Sequence, residues 1–176
     1  MLQKFINLRS VSNQKIVGKM RSKLFICVLL VCNFLLMNAQ KKENPQISML
    51  YKNYLNLKNA LAKDQPNAAA KAAQIFSQNT AKVEQKTYAE AKISVLKNAA
   101  NALAKTSSIQ KQREYFDIIS QQMIALARKF QVSENYVFIQ YCPMADAHWL
   151  SAEKTIVNPY YGAEMLSCGN LKSEIK

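Results

Sequence analysis

The chain has 176 residues, with 24 Lys and Arg against 11 Asp and Glu, for a formal net charge of +13. That length holds one domain once a targeting segment is set aside, and three glycines in the whole chain argue against a loop-rich or all-β fold. Six of the basic residues and none of the acidic ones fall in residues 1–39, so residues 40–176 carry only +7. Those charges sit singly (Lys52, Lys58, Lys71, Lys82, Lys92, Lys97) with no run interleaved with aromatics, which excludes nucleic acid as the expected partner.

The first element is an export signal. A basic stretch without acids leads into the apolar run Leu24 to Met37, and the small residue Ala39 closes it. Basic region, apolar region and small residue at the cut define a cleavable secretory signal over residues 1–39, with Met20 as the natural start. The run is about 14 residues, short of the roughly 20 a membrane-spanning helix requires. Cys32 follows Val31, where lipid attachment needs a small residue. The expected location is the periplasm or outside the cell, with no membrane association after cleavage. Cys27 and Cys32 leave with the signal, so Cys142 and Cys168 remain.

Residues 40–45 read as a polar leader and residues 46–176 as a single helical domain. Asn44-Pro45 supplies an N-cap and a proline at the first helical position. Ile47, Leu50, Tyr51, Tyr54, Leu57 and Leu61 then recur at helical spacing. Asp64-Gln65-Pro66 ends that helix and starts an alanine-rich one over residues 66–82, with Ala69, Ala72, Ala73, Phe76 and Thr80 on one face. Thr87 with Glu90 makes a capping box for a third helix, striped by Ala89, Ile93, Leu96, Ala100 and Leu103. Ser107 with Gln110 opens a fourth, where Phe116, Ile119, Met123, Leu126 and Phe130 form its stripe. Glu114 and Asp117 lie in a charged stretch with Lys111 and Arg113 and read as solvated surface. Four such stripes joined by short turns predict a mainly α fold: a four-helix antiparallel bundle.

The pattern changes in residues 136–176, which form a small C-terminal β element rich in Cys and Met. Residues 136–141 (YVFIQY) are β-branched and aromatic and predict a strand. A loop leads to Trp149-Leu150, Asn158-Pro159 to Gly162 reads as a turn, and the chain ends in a polar tail. Trp149, Tyr160 and Tyr161 are expected to be the core of this region.

Cys142, Met144, His148, Met165 and Cys168 are its soft or borderline donors. Thiolates and thioethers select Cu(I) and similar soft ions, and imidazole also suits copper and zinc. Cys142 and Met144 are two positions apart, and Met165 and Cys168 three, so each pair can present both sulfurs on one side. A second reading makes Cys142 and Cys168 a disulfide in an oxidising compartment, with Met144 and Met165 as core filler. His148, standing alone, is the weakest donor. With one His, no G-x-S-x-G, no H-E-x-x-H and no glycine-rich phosphate loop, the chain is not expected to be an enzyme.

Gln112-Arg113-Glu114 with Phe116, Tyr141-Cys142-Pro143-Met144-Ala145, Trp149-Leu150-Ser151, Asn158-Pro159-Tyr160-Tyr161-Gly162, and Met165 with Cys168-Gly169 together carry a resemblance. They resemble a Bacteroidetes domain of unknown function found as small secreted proteins and fused to the C-terminus of copper/silver efflux adaptor subunits. Tyr51-Lys52-Asn53-Tyr54-Leu55 fits the opening of that family. The resemblance implies a periplasmic domain associated with metal handling, with Cys142, Met144, Met165 and Cys168 as ligands of copper and an efflux adaptor as partner; it rests on association. Two departures stand out: the loop between Met144 and Trp149 is shorter here, and Tyr115 stands where relatives often have His.

Overall fold

A computed structural model describes residues 42–84 and 89–176. The export signal, its cysteines and Met20 lie outside the described residues, as does Thr87 of the predicted capping box. The elements run β1 (Lys42–Glu43), α1 (Pro45–Ala62), α2 (Pro66–Thr80), α3 (Glu90–Lys105), α4 (Ile109–Lys129), β2 (Phe130–Gln131), β3 (Val137–Cys142), β4 (Ala147–Ser151), a 3₁₀ turn (Gly162–Met165) and β5 (Asn170–Ile175). The fold is mainly α, with four helices followed by a small antiparallel sheet, as the periodicity predicts. No helix of the described residues is long and apolar enough to cross a membrane.

The helices start where local chemistry says they should. Asn44 Oδ1 accepts from the amides of Gln46 and Ile47 at 3.0 and 3.1 Å, satisfying donors that α1 leaves free. At α4 the cap is Ser108, not Ser107: its Oγ accepts from Lys111 N at 3.4 Å. Thr106 Oγ1 takes the Ser108 amide at 3.2 Å, which fixes the register one residue later than the sequence reading. Ala89 is an exposed residue outside α3, and Ala99 joins Leu96, Ala100 and Leu103 on its buried face.

Each helix packs on the next, and α1 also meets α4. Ala69 and Ala73 are wholly buried, their small side chains allowing close helix approach, and Ser77 Oγ donates to Asn101 Oδ1 across α2 and α3 at 2.6 Å. Tyr54 and Phe116 stack at 5.3 Å in the core, and Phe116 meets Tyr160 at 5.6 Å. The Tyr54 hydroxyl contacts Ser120 Oγ at 2.8 Å and accepts from Leu150 N at 3.0 Å. One phenol thus fastens the sheet to the bundle.

The sheet has order β4-β3-β5, both pairings antiparallel. Two of its strands depart from the sequence reading. The stretch before Trp149 is not a plain loop, because β4 begins at Ala147 and forms a hairpin with β3. The polar tail is a strand, β5, at the sheet's edge. Residues 42–43 of the polar leader also pair, in parallel with β2.

Lys58 is an exception to the polar-outside pattern, being only 5 % exposed. Burial lowers its pKa, with the Glu153 charge opposing that effect. Below the depressed pKa the buried ammonium is charged and costs stability; the penalty fades as pH climbs toward the ordinary 10.5. Lys58→Met should therefore raise the melting temperature at pH 7, and the gain should shrink at pH 10. An equal gain at both values would place the effect in packing alone.

Candidate functional site

The two cysteines meet because the tail folds back onto the end of β3. Cys142 is the last residue of β3, and the pairing of Tyr141 with Asn170 brings residues 168–169 alongside it. Cys142 is fully buried and Cys168 partly so, and both are free thiols. Burial raises the Cys168 thiol above its ordinary range, and the neighbouring Cys142 side chain raises it further.

The Cys168 backbone is held by a residue that sequence reasoning treated only as part of a turn. Asn158 is wholly buried. Its Nδ2 donates to Cys168 O at 2.8 Å, and its Oδ1 accepts from the amides of Tyr160 and Tyr161 at 2.8 and 3.3 Å. Its own amide donates to Leu166 O at 2.8 Å. Asn158 thereby closes the loop leading into β5. Gly169 completes the approach at φ +144°: a Cβ there would sit 2.9 Å from Tyr141 O and 3.0 Å from Trp149 Cη2, too close for any other residue.

Arg113 supports the same loop and is not the solvated surface residue its neighbours suggested. Its Nε donates to Pro159 O at 2.9 Å, and its Nη2 pairs with Asp64 at 2.5 Å. Asp64, at φ 54° in the turn between α1 and α2, also accepts from Ala163 N at 2.8 Å. Asp117, read as surface beside it, takes the Tyr160 hydroxyl at 3.4 Å and Gln121 Nε2 at 2.7 Å. The expected aromatic core is present: Trp149 is wholly buried and lies 6.0 Å from Tyr160, while Tyr161 is only half-buried.

The remaining donors are placed differently. Met144 is 62 % exposed in the turn after Cys142, its carbonyl accepting from Tyr161 OH at 3.2 Å. Met165 is partly buried at the end of the 3₁₀ turn, and its carbonyl accepts from Cys168 N at 3.0 Å. His148 pairs with Tyr141 across β3 and β4, ring to ring at 4.5 Å. Among the described residues no group of three or more His, Cys, Asp or Glu is placed to hold a metal ion, so His148 does not join the thiols in such a cluster.

Residues 50–135 match a family model described as a protein of unknown function (DUF3347). The match spans α1 to the turn after β2 and ends before β3, so none of the five donors lies within it. No curated protein and no solved structure matches the chain.

Proposed function

We propose that the Cys142–Cys168 pair binds a soft metal ion of the Cu(I) type, and that the domain buffers this ion or passes it on without catalysing a reaction. The observation that carries the reading is the pairing of β3 with β5, which brings two free thiols near enough for Cys142 to shift the Cys168 pKa. A pair of sulfurs held together by the backbone on either side suits an ion that accepts few, soft ligands. Met165, three residues before Cys168, is the nearest thioether in the chain to that thiol, and Met144 follows Cys142 in the adjoining turn. The export signal read in residues 1–39 would place this activity in the periplasm or outside the cell, and the family resemblance suggests a metal-efflux adaptor as partner.

The raised Cys168 pKa keeps that thiol protonated at neutral pH, so a bound ion must displace its proton. Affinity should climb about tenfold per pH unit for each proton released, as long as the pH stays below the thiol pKa.

Competition against a chromogenic Cu(I) chelator tests the reading on reduced protein. Cys142→Ala or Cys168→Ala should each weaken binding at least about 100-fold, and Met144→Leu/Met165→Leu by about tenfold. Wild-type affinity in both cysteine variants would eliminate the site. The same contact also favours a second reading, a disulfide-stapled module that docks a protein partner without metal. Thiol titration of protein recovered from the exporting cells separates the two, since a stapled module shows no free thiol.

A further inference from the structure

The two thiols differ in how they meet solvent. Cys142 is wholly buried at the end of β3, while Cys168, just before β5, is partly exposed. Tyr141 pairs with Asn170, and one further step along that antiparallel register sets Cys142 opposite Gly169, the neighbour of Cys168. Both thiols are free, and Cys142 lies near enough to raise the Cys168 pKa. A reagent in solution therefore meets Cys168 first, and the group behind it is a second thiol.

That order of exposure suits thiol–disulfide exchange, which needs one sulfur open to solvent and a second within reach of the first. Cys142 by itself, shielded from solvent, would be inert.

We propose that Cys168 is the entry point for a low-molecular-weight disulfide and that Cys142 resolves the adduct, making the pair a reversible switch. The Cys168 thiol gives up its proton, and its sulfur attacks one sulfur of the reagent RSSR. The S–S bond of the reagent breaks, and the departing RS⁻ takes up a proton. Cys142, once deprotonated, then attacks Cys168 Sγ and expels the second RS⁻, which is protonated in turn. The protein loses two electrons and two protons, RSSR becomes two RSH, and a Cys142–Cys168 disulfide remains. Excess RSH reverses both steps. The regulatory consequence rests on the soft-ion reading: a disulfide offers no thiolate to a metal, so oxidation releases the ion, and a bound ion shields Cys168.

Hydroxyethyl disulfide is the probe, added to reduced, metal-free protein recovered from the exporting cells and followed by peptide mass mapping. Peroxide would be less selective, because the thioether of Met144, 62 % exposed, also takes up oxygen. A mixed disulfide should appear transiently, on Cys168 only, and give way to the Cys142–Cys168 link. Cys142→Ala should accumulate the Cys168 adduct. In Cys168→Ala the remaining thiol should react at least about 100-fold more slowly than Cys168 does in the native chain. The proposal is overturned if wild type halts at the mixed disulfide, if Cys142 carries the first adduct, or if Cys142 in Cys168→Ala reacts as fast as Cys168. The wild-type time course stands without the variants, so a misfolded variant does not blur the answer. Preloading with Cu(I) should slow the first step at least about tenfold. An unchanged rate beside the expected order of attack would sink the soft-ion reading and leave the switch standing.

Discussion

Asn158→Ala is expected to destabilise the protein by about 3 kcal/mol, since three hydrogen bonds to a wholly buried side chain are lost together. The left-over groups are the Cys168 carbonyl and the amides of Tyr160 and Tyr161. The amide of Tyr160 lies in a buried residue, where water cannot easily replace the lost acceptor. On the soft-ion reading the same change also loosens the segment carrying Cys168, so Cu(I) affinity should fall although no sulfur has been touched. Asn158→Asp isolates the donor half of the interaction. It keeps both acceptor contacts but, when ionised, sets a carboxylate against the Cys168 carbonyl. A protonated carboxyl can donate there, so the variant should lose more stability at pH 7 than at pH 4 in urea unfolding. Equal losses at the two pH values would show that the Cys168 carbonyl does not depend on this donor.

Tyr54→Phe is the second large effect, expected to cost about 2 kcal/mol. The ring stack on Phe116 survives, so the loss reports the hydroxyl alone. Ser120 lies on a helix and can turn its Oγ to a carbonyl of its own backbone. The Leu150 amide has no such alternative, because its donor is fixed by the strand and the hydroxyl is its acceptor. Hydrogen exchange at the Leu150 amide should therefore accelerate more than exchange at the centre of α4. Ser120→Ala should cost less than Tyr54→Phe. A reversed order would mean that the sheet is anchored elsewhere.

The helices were legible because each buries one face. Ile47, Leu50, Tyr54, Leu57 and Leu61 are all wholly buried in the structure, and their spacing alone announces α1. The cap of α4 slipped by one because Ser107 and Ser108 are chemically equal; the choice between them is made by Thr106, whose hydroxyl is engaged by the Ser108 amide. β5 left no period-two signal, since five of its six residues are exposed and an edge strand with little to bury has no reason to alternate. Both readings of Cys142 and Cys168, as metal ligands or as a disulfide, require the two to meet, but the residue that fastens Cys168 leaves no local signal. An Asn-Pro pair reads as a turn whether its side chain faces solvent or, as here, lies buried with three partners. Arg113 misled for a similar reason: in a run of charges, nothing local distinguishes the one that reaches back to Asp64 and Pro159.

The exposed character of β5 has a consequence for how these molecules coexist at high concentration. A terminal strand at the rim of a sheet offers a row of backbone groups to which another extended chain could bond. Along this rim stand Lys172, Glu174 and Lys176, with Lys154 paired to Glu174 at 2.7 Å. Any chain that lengthened the sheet would have to strip water from these charges. The rim can thus stay open and still be guarded against uncontrolled stacking of one copy on the next.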